Sequence, residues 1–472
     1  PFISEVMSAN ETTLRDSFSN SSDWIEIYNP NDQPFSLADW SLTDDPQDLK
    51  KWTFPKVSID ARQFLVVFAS GENKTETDGE LHTGFRLARD GEYLGLVKPD
   101  GTIANEFKPE LPALDSDQSY GVSMMIDGET LLPVDPTNMV FLFSPTPGSI
   151  NTAGAVGKAG EPIFSPPAGT FVTSFELELS STRANEEVRY TMDGSMPTSE
   201  STPYTEPVAI ESSVMVRARC FRQGSIPGSS VSNGYLKLAG NLHNFSSNLP
   251  VVVVQDFKDG NILPDPDIPR GTLLRHQGGY MMVHEPGGED RRTRLTDAPT
   301  LETRIGIKIR GNSTQNRPKK AFSLEAWDEY DEDKDIAPLN MPEDSDWVLY
   351  APYNFDRAMI RNAFIYEISN QIGRYAVRTR FCEVFVNTDG GSLGYEDYVG
   401  VYSFMEKITR GRNRVDIRRI DPGHSDEPEI SGGYMFKIDR TDPGDSGFVA
   451  GKENILWVDP KENEVTPEQA KW

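Results

Sequence analysis

The residues best suited to chemistry in this chain lie in one short cationic turn. Residues 310–314 read Arg-Gly-Asn-Ser-Thr, and the cations Arg317, Lys319 and Lys320 follow closely. A turn with glycine and small hydroxyl and amide side chains can direct backbone N–H groups and cations at an anion, which in proteins is usually phosphate. The alternative is a surface turn with solvated charges, because short motifs of glycine and lysine often arise by chance.

A β-strand is expected to deliver this turn. Residues 303–309 alternate in character, and Ile305, Ile307 and Ile309 share one face, which is the spacing of a strand. The wider stretch 304–419 contains 18 Lys/Arg and 18 Asp/Glu residues, so it is neutral within an acidic chain. This distribution favours a local positive cleft for a compact anionic ligand. The alternative is that these cations pair with the acidic side chains on the surface.

The bulk composition excludes several classes of function. Lys and Arg number 46 and Asp and Glu number 73, so the net charge is 46 − 73 = −27. This excess argues against general binding to nucleic acid or anionic membrane, and it suits a salty or calcium-rich exterior. No apolar run approaches the roughly 20 residues of a transmembrane helix. The 472 residues predict several domains, and the start at Pro1 without methionine leads us to expect a mature or trimmed product.

The chain has two cysteines, Cys220 and Cys382, which lie far apart in strand-like apolar patterns. We expect two buried thiols rather than a disulfide. Neither the cysteines nor the five histidines have the spacing of a zinc site.

Residues 1–125 predict an all-β sandwich, because short strand patterns alternate with turn residues and no helical period occurs. The segment resembles the lamin-tail domain of secreted bacterial proteins, through Ser-Asp-Trp-Ile-Glu-Ile-Tyr-Asn-Pro at 22–30 and Leu-Ala-Asp-Trp-Ser-Leu-Thr-Asp-Asp at 37–45. The resemblance implies an immunoglobulin-like fold. Asp44 and Asp45 are candidates for a structural Ca²⁺ site; the alternative is that they cap a turn.

Residues 126–160 are rich in proline and small residues, a composition typical of a linker, although the strand-like residues 139–143 can pair with the first sandwich. Residues 161–238 predict a second β-sandwich with an Asp-Gly turn. Tyr-Thr-Met-Asp-Gly-Ser at 190–195 resembles the small sandwich at the C-terminus of chitobiases and hexosaminidases. In that family the module is usually a spacer beside a catalytic domain.

Residues 248–472 predict an α+β domain, since strand patterns alternate with one helix. Asp356 is placed to cap this helix, and Gly373 stands at the position of a C′ glycine. The apolar side chains of the helix recur every four residues: Ile360, Phe364, Ile368 and Ile372. We expect this apolar stripe to pack on a sheet.

The third segment resembles the CotH kinase family, secreted atypical relatives of protein kinases. Four motifs carry the resemblance: Arg-Gly-Asn-Ser-Thr at 310–314 with Lys-Lys-Ala-Phe at 319–322, Leu-Tyr-Ala-Pro-Tyr at 349–353, Tyr-Val-Gly-Val-Tyr at 398–402 with Glu-Lys at 406–407, and Ser-Gly-Gly-Tyr at 431–434. Their order and spacing together are more specific than any one of them. The resemblance implies binding of ATP with Mg²⁺ or Mn²⁺, and phosphoryl transfer to a secreted protein.

The resemblance also implies residues for a nucleotide site. Arg310, Lys319, Lys320 and Lys407 are candidates to contact the phosphates, and Glu406 is a candidate to orient a lysine, as the ion pair of a kinase does. The sequence leaves open which lysine acts. It assigns no catalytic residue and no metal ligand.

The last residues lead us to expect a truncated domain. Thr-Pro-Glu-Gln at 466–469 has the N-cap threonine, first-turn proline and third-position glutamine of a helix start, yet three residues follow. CotH-like kinases carry their catalytic and metal-binding aspartates in a later, helical half. Asp439, Asp442 and Asp445, and the acidic run 328–335, are weaker candidates for a divalent metal; the alternative is solvated acidic loops.

The leading interpretation is a secreted or cell-surface modular protein. It has two immunoglobulin-like all-β sandwiches followed by a truncated α+β, kinase-like domain that phosphorylates an extracellular protein. The alternative is a non-catalytic extracellular scaffold, adhesion or surface-assembly protein that uses the same fold structurally. A third class, glycoside hydrolase, is suggested only by the second module. We expect no nucleic-acid partner and no transmembrane segment.

Overall fold

The computed structural model describes residues 1–472 apart from 18–19, 76–78, 109, 125, 128–129, 132–134, 152, 258–273, 312–313, 315–316, 421–423, 440, 442–444 and 462–463. The chain is mostly β-strand with few helices. It folds into two compact units. The first comprises Pro1–Gly160 with Phe221–Ser229, and the second comprises Glu161–Cys220, Ser230–Ile420 and Ser425–Trp472.

The first unit contains a sandwich of two sheets. Its strands are β1 (Phe2–Met7), β2 (Trp24–Tyr28), β3 (Phe35–Ser36), β4 (Ser41–Thr43), β5 (Trp52–Thr53), β6 (Ser58–Ile59), β7 (Phe64–Phe68), β8 (Leu81–His82), β9 (Leu94–Val97), β10 (Ile103–Phe107), β11 (Tyr120–Val122), β12 (Ile126–Asp127), β13 (Thr130–Leu131), β14 (Met139–Leu142) and β15 (Gly154–Ala155). The larger sheet has the order β15-β14-β11-β1-β2-β7-β8, and the smaller β10-β9-β4-β5. Ile25, Ile27, Leu42 and Leu96 lie in their common core, so the predicted sandwich is confirmed.

Part of the predicted linker 126–160 belongs to this sandwich. β14 and β15 extend its larger sheet, and the buried Asn151 side chain donates hydrogen bonds to the carbonyls of Ser4 and Val122, at 2.7 and 3.0 Å. The first domain therefore continues beyond residue 125. The linker prediction rested on composition alone. A segment rich in proline and small residues can still join a domain when a buried amide and two short strands bind it there.

The second unit begins with the second sandwich. Its strands are β16 (Pro162–Ser165), β17 (Gly169–Phe171), β18 (Phe175–Ser181), β19 (Glu187–Thr191), β20 (Thr202–Pro203), β21 (Val208–Ile210), β22 (Val214–Phe221) and β23 (Val231–Lys237). They form sheets of order β16-β18-β21 and β17-β23-β22-β19-β20. The predicted second sandwich is confirmed.

A closed β-barrel follows. The next strands are β24 (Ser246–Ser247), β25 (Val251–Gln255), β26 (Gln277–His284), β27 (Thr293–Arg294), β28 (Leu301–Arg310), β29 (Ala321–Trp327), β30 (Asp346–Tyr350), β31 (Thr379–Asn387) and β32 (Tyr398–Glu406). The barrel order is β25-β26-β28-β29-β30-β32-β31. Ile305, Ile307 and Ile309 lie in its core, as the alternation of residues 303–309 predicts. Helix α1 (Arg361–Gln371) connects β30 to β31.

The helix lies where the sequence places it. The Asp356 carboxylate accepts a hydrogen bond from the backbone N–H of Arg361, the first residue of α1, at 2.7 Å. Gly373 follows the helix with φ +80°. Gly373 is therefore the predicted C′ glycine, whereas the N-cap residue is Ile360, and Asp356 binds the first helical N–H from outside the N-cap position.

The predicted packing of the helix is wrong. The side chains of Phe364 and Ile372 are 64% and 69% exposed, and α1 has no buried residue. Tyr366, from outside the apolar stripe, instead packs against the cluster of Val348, Val377 and Met405. The periodicity fixed the helix but could not say which side of it meets the barrel.

A small sheet and a short helix complete the unit. The strands are β33 (Met435–Lys437), β34 (Gly447–Ala450) and β35 (Glu453–Asp459), in the order β33-β35-β34. Helix α2 (Pro467–Lys471) has the predicted capping box: Gln469 N–H donates to the Thr466 hydroxyl and Thr466 N–H to the Gln469 side chain. Short 3₁₀ turns lie at Gly240–Leu242, Pro338–Asn340, Pro352–Asn354 and Tyr395–Asp397.

Cys220 and Cys382 are free and buried, as predicted. Within the described residues, none of the helices combines the length and the apolar composition that crossing a membrane requires.

Candidate functional site

The cationic turn joins two paired strands of the barrel. Arg310 ends β28 and pairs directly with Ala321 at the start of β29. This register brings Arg310, Lys319 and Lys320 to one end of the hairpin. Asn312 and Ser313, which the sequence places in the turn, lie outside the described residues.

The turn is fastened to the segment that follows β30. The Asn354 side chain donates a hydrogen bond to the carbonyl of Lys319 at 2.7 Å. The Arg317 guanidinium lies 5.7 Å from the centre of the Phe355 ring, within the range of a cation–π contact. The first two motifs singled out in the sequence, 310–322 and 349–353, therefore meet at this end of the barrel.

The third motif supplies the surroundings of the Lys319 ammonium. Its Nζ donates a hydrogen bond to the carbonyl of Val401 at 2.5 Å and lies 4.4 Å from the centre of the Tyr402 ring. The Tyr402 hydroxyl donates to the carbonyl of Lys320 at 2.7 Å. Lys319 thus donates a hydrogen bond to β32, and β32 donates one back to the carbonyl of Lys320.

Gly400 lets β32 approach this ammonium closely. Its φ of +97° lies in the left-handed region, and a Cβ there would be 3.0 Å from Lys319 Nζ. Any other residue would strain the backbone and crowd the amine. The glycine of the Tyr-Val-Gly-Val-Tyr motif therefore serves this contact.

The electrostatic state of Lys319 differs from that of an ordinary surface lysine. Burial lowers the pKa of its ammonium, because the charged form loses hydration. The Cys382 thiol lies in the same barrel interior, and burial raises its pKa to about 12, so it stays neutral. Among the described residues, no carboxylate lies within ion-pair distance of Lys319 Nζ. The ammonium has a carbonyl and a ring as partners, and these leave its charge uncompensated.

Glu406 is not paired with a lysine. Its buried carboxylate accepts hydrogen bonds from Arg378 Nη1 at 2.6 Å and from the Tyr375 hydroxyl at 3.1 Å, and it also contacts Arg414. The Arg414 guanidinium stacks over the Trp347 ring at 4.7 Å. Glu406 therefore pairs with Arg378 and Arg414 instead of with a lysine, as the kinase-like prediction had it. The reason is that its side chain points into the barrel at the end where these two arginines lie.

Lys407 points to the other face of β32. Its Nζ forms an ion pair with Asp346 Oδ1 at 2.7 Å. Glu406 and Lys407 also lie four and five residues along β32 from Tyr402, which is about 13 Å or more at 3.3 Å per residue. The five predicted nucleotide-binding residues thus divide into two groups: the structure gathers Arg310, Lys319 and Lys320 but not Glu406 and Lys407.

The weaker metal candidates have other partners. Asp44 forms an ion pair with Lys51 at 2.5 Å, and Asp45 accepts from the backbone of Gln47 at 2.8 Å, as expected of turn residues. Asp445 pairs with Lys437 at 2.8 Å. In the run 328–335, Asp328 accepts backbone hydrogen bonds within its own loop. Asp442 lies outside the described residues, and the described ones contain no group of three potential ligands that could hold a metal ion.

A surface cavity of roughly 290 Å³ lies between α1 and the start of β31. Polar side chains dominate its lining, among them Glu367, Asn370 and Arg380, and Arg378 links it to buried Glu406. The sequence missed this group. The bunching of Arg374, Arg378 and Arg380 was the available signal, but only the fold shows that Arg378 faces a carboxylate.

Three family models match consecutive parts of the chain. The model of the Lamin Tail Domain matches residues 1–109, that of the Chitobiase/beta-hexosaminidase C-terminal domain matches residues 166–233, and that of the CotH kinase protein matches residues 307–471. A search of curated proteins found no match. The order agrees with the three resemblances read from the sequence, and the last match contains the Lys319 surroundings. The chain is therefore a modular protein in which a lamin-tail-like region and a chitobiase/hexosaminidase-type region precede a CotH-like domain.

Proposed function

We propose that the CotH-like domain binds ATP, with Lys319 contacting the phosphates, and transfers a phosphoryl group to a protein outside the cell. The observation that carries the proposal is the environment of the Lys319 ammonium, which is half-buried and has no carboxylate partner among the described residues. A phosphate oxygen is a stronger acceptor for a cation than the neutral carbonyl that now holds it. The low local dielectric strengthens such a contact.

Neighbouring groups support the same role. Arg310 and Lys320 lie at the same end of the β28–β29 hairpin, and a cluster of cations attracts a polyanion. Lys407, in contrast, already has Asp346 as its partner. We therefore choose Lys319 among the candidate lysines.

Phosphoryl transfer also needs a divalent metal ion, for which the family resemblance suggests Mg²⁺ or Mn²⁺. The described residues offer no set of ligands for it. We accordingly assign no metal ligand and derive no transfer step. The proposed location, secreted or at the cell surface, rests on the acidic composition and on the order of the modules.

The test is ATP binding to Lys319→Met, Lys319→Arg and, as the matched control, Lys407→Met. Isothermal titration with ATP plus Mg²⁺ or Mn²⁺ should show an affinity about 10- to 100-fold lower for Lys319→Met, the worth of one hydrogen bond to a charged group. Lys319→Arg should retain part of the affinity, and Lys407→Met should bind nearly as the wild type does. Equal affinity of Lys319→Met and the wild type would refute the assignment.

The alternative function is a non-catalytic extracellular scaffold, adhesion or surface-assembly protein. The exposed apolar side of α1, with Phe364 and Ile372, favours it, because contiguous exposed apolar surface is typical of contact regions. A thermal shift decides between the two. At an ATP concentration 100 times Kd, binding should stabilise the protein by about 2.7 kcal/mol. No shift with ATP and either metal ion would favour the scaffold.

A further inference from the structure

The outer surface of the barrel is apolar on one side. Along β25, Val252 and Val254 point into the barrel core, whereas Val251 and Val253 belong to a second buried cluster outside it. On β29 and β30 the side chains of Phe322, Leu324, Trp347 and Leu349 point inward. Their outward positions include the polar residues Glu325 and Asp346, and the outward Val348 packs with Tyr366 of α1. An apolar outer face on β25, β26 and β31 therefore requires a covering layer.

The second sandwich is this covering layer. Met215 of β22 and Leu236 of β23 join the outward side chains of the barrel in one buried cluster. The barrel contributes the following residues: Val251, Val253, Tyr280, Met282 and Phe385. All of them are at least 90% buried. The two modules thus share a hydrophobic core.

Backbone pairing crosses the same boundary. Leu393, in the loop between β31 and β32, donates to the carbonyl of Lys237 and accepts from the N–H of Ala239, both at 2.8 Å. The Ser213 hydroxyl donates to the carbonyl of Gly391 at 2.7 Å. The sandwich therefore fixes the loop that leads directly into β32, the strand that holds the Lys319 ammonium.

A buried ion pair joins the sandwich to a second loop of the barrel. Arg217 of β22 contacts the Glu329 carboxylate at 3.1 Å and the Glu329 carbonyl at 2.6 Å. The same carboxylate accepts from the backbone N–H of Ser232 at 2.9 Å and from its hydroxyl at 2.5 Å. Separation of the modules would leave these charged groups without their partners.

The sandwich and the barrel approach each other closely where β23 meets β26. A Cβ on Gly234 of β23 would lie 2.7 Å from the Tyr280 ring of β26. No side chain fits at this position while the two sheets stay in place, so the contact has the density of a domain interior.

We propose that the second sandwich is a fixed structural part of the CotH-like domain and not a spacer. Sandwich and barrel fold as one cooperative unit, and the sandwich holds the β31–β32 loop in the position that the Lys319 surroundings require. The shared core, the paired loop and the buried ion pair carry this inference independently of ATP binding.

The two cysteines of the chain provide the test, because one lies in each module. Cys220 lies in β22 of the sandwich and Cys382 in β31 of the barrel, and both are fully buried. Pulsed labelling of the full-length protein with a thiol reagent, just below the urea transition and resolved by peptide mass spectrometry, reports the opening of each module. If the modules open together, both thiols should react at the same opening frequency.

Leu177→Ala makes the test decisive. Leu177 is buried in the sandwich but is not part of the shared cluster, so its truncation weakens the sandwich alone. Cooperative folding predicts that labelling of both thiols accelerates on the order of 100-fold. The proposal stands if the logarithmic acceleration at Cys382 is at least half of that at Cys220, and it fails if the acceleration is smaller.

Two further variants provide a milder substitution and a control. Leu177→Val is expected to give the same pattern with a roughly tenfold acceleration, and it replaces Leu177→Ala if that variant does not fold. Glu206→Ala, an exposed substitution in the same sandwich, should leave both labelling rates unchanged. Acceleration of Cys220 alone in the leucine variants would identify the sandwich as a separate module.

Discussion

At the scale of single residues, partners decide what a charged side chain can do. Lys319 and Lys407 look equally suitable in the sequence, yet Lys407 is neutralised by Asp346, whereas Lys319 lies over Tyr402 and has no carboxylate partner in the part of the chain that the structure describes. The sequence suggests Glu406 as the residue that orients a lysine, but Arg378 and Arg414 pair with its carboxylate instead. The nucleotide site that we propose is therefore centred on Lys319.

The surroundings of two buried carboxyl groups in the first sandwich determine their protonation. Glu5 and Glu26 face each other across β1 and β2, and both are fully buried. Burial raises the pKa of Glu26 to about 8, and the nearby charge of Glu5 adds to this. Ser4 and Gly148 donate to Glu26 at 2.6 Å. A pKa of about 8 favours the protonated form of Glu26 at neutral pH.

This proton makes the first sandwich pH-dependent. Folded Glu26 keeps a proton that the unfolded chain releases near pH 4.5, so unfolding releases a proton and stability falls as pH rises from about 5 to about 8. Glu26→Gln should prevent a loss of stability on the order of 3 kcal/mol over this pH range. A neutral amide can form hydrogen bonds with both Ser4 and Gly148 and has no proton to lose.

Urea unfolding at pH 5, 6.5 and 8 measures this effect. The difference between Glu26→Gln and the wild type should grow with pH, whereas the exposed control Glu11→Gln should follow the wild type. A pH-independent difference would show that Glu26 is ionised in the folded protein.

At the scale of elements, helix α1 shows that periodicity and packing are separate questions. The four-residue spacing predicted a helix, Gly373 lies at the expected C′ position, and Asp356 binds the first helical N–H although Ile360 is the N-cap residue. The apolar stripe with Phe364 is nevertheless exposed, and Tyr366 makes the contact with the barrel. A hydrophobic pattern reports which residues share a side, but not which side the barrel meets.

This arrangement predicts unequal effects of substitutions along α1. Phe364→Ser should change the free energy of unfolding by less than about 0.5 kcal/mol, as is usual for exposed positions. Tyr366→Ala should cost about 2 kcal/mol, because it empties the contact with Val348, Val377 and Met405. Urea unfolding followed by labelling of Cys382 measures both. A larger cost for Phe364→Ser than for Tyr366→Ala would contradict the packing.

At the scale of the whole molecule, several cations of the neutral stretch 304–419 form ion pairs. Arg304, Arg378, Lys407, Arg410 and Arg414 each contact a carboxylate. The simple alternative of paired surface charges therefore holds for part of this stretch. Our proposal of ATP binding rests on Lys319, which has no carboxylate within ion-pair distance among the described residues.

The ion pair between Arg217 and Glu329 is predicted to couple sandwich and barrel energetically. Arg217→Met and Glu329→Gln should each destabilise the second unit, and their double-mutant cycle should give a coupling of about 1–3 kcal/mol, since the Arg217 side chain is buried. The exposed pair of Arg418 and Glu429 serves as the control. Its coupling should stay below about 0.5 kcal/mol. Equal couplings would contradict a structural role of the buried pair.

The sequence by itself determined features that depend on neighbours along the chain. The alternation of Ile305, Ile307 and Ile309 predicted a strand with one buried face, and the motif at 466–469 predicted the capped helix α2. These features can be predicted from the sequence alone because the strand and helix periods and the capping geometry are local properties of the backbone.

Only the tertiary structure decided which distant groups meet. Lys319 and its acceptor Val401 are 82 residues apart, and Arg217 and Glu329 are 112 residues apart. The layer that covers the outer valines of β25 comes from the second sandwich. No local pattern encodes these pairings, because each depends on the register and closure of sheets whose strands come from the whole second unit.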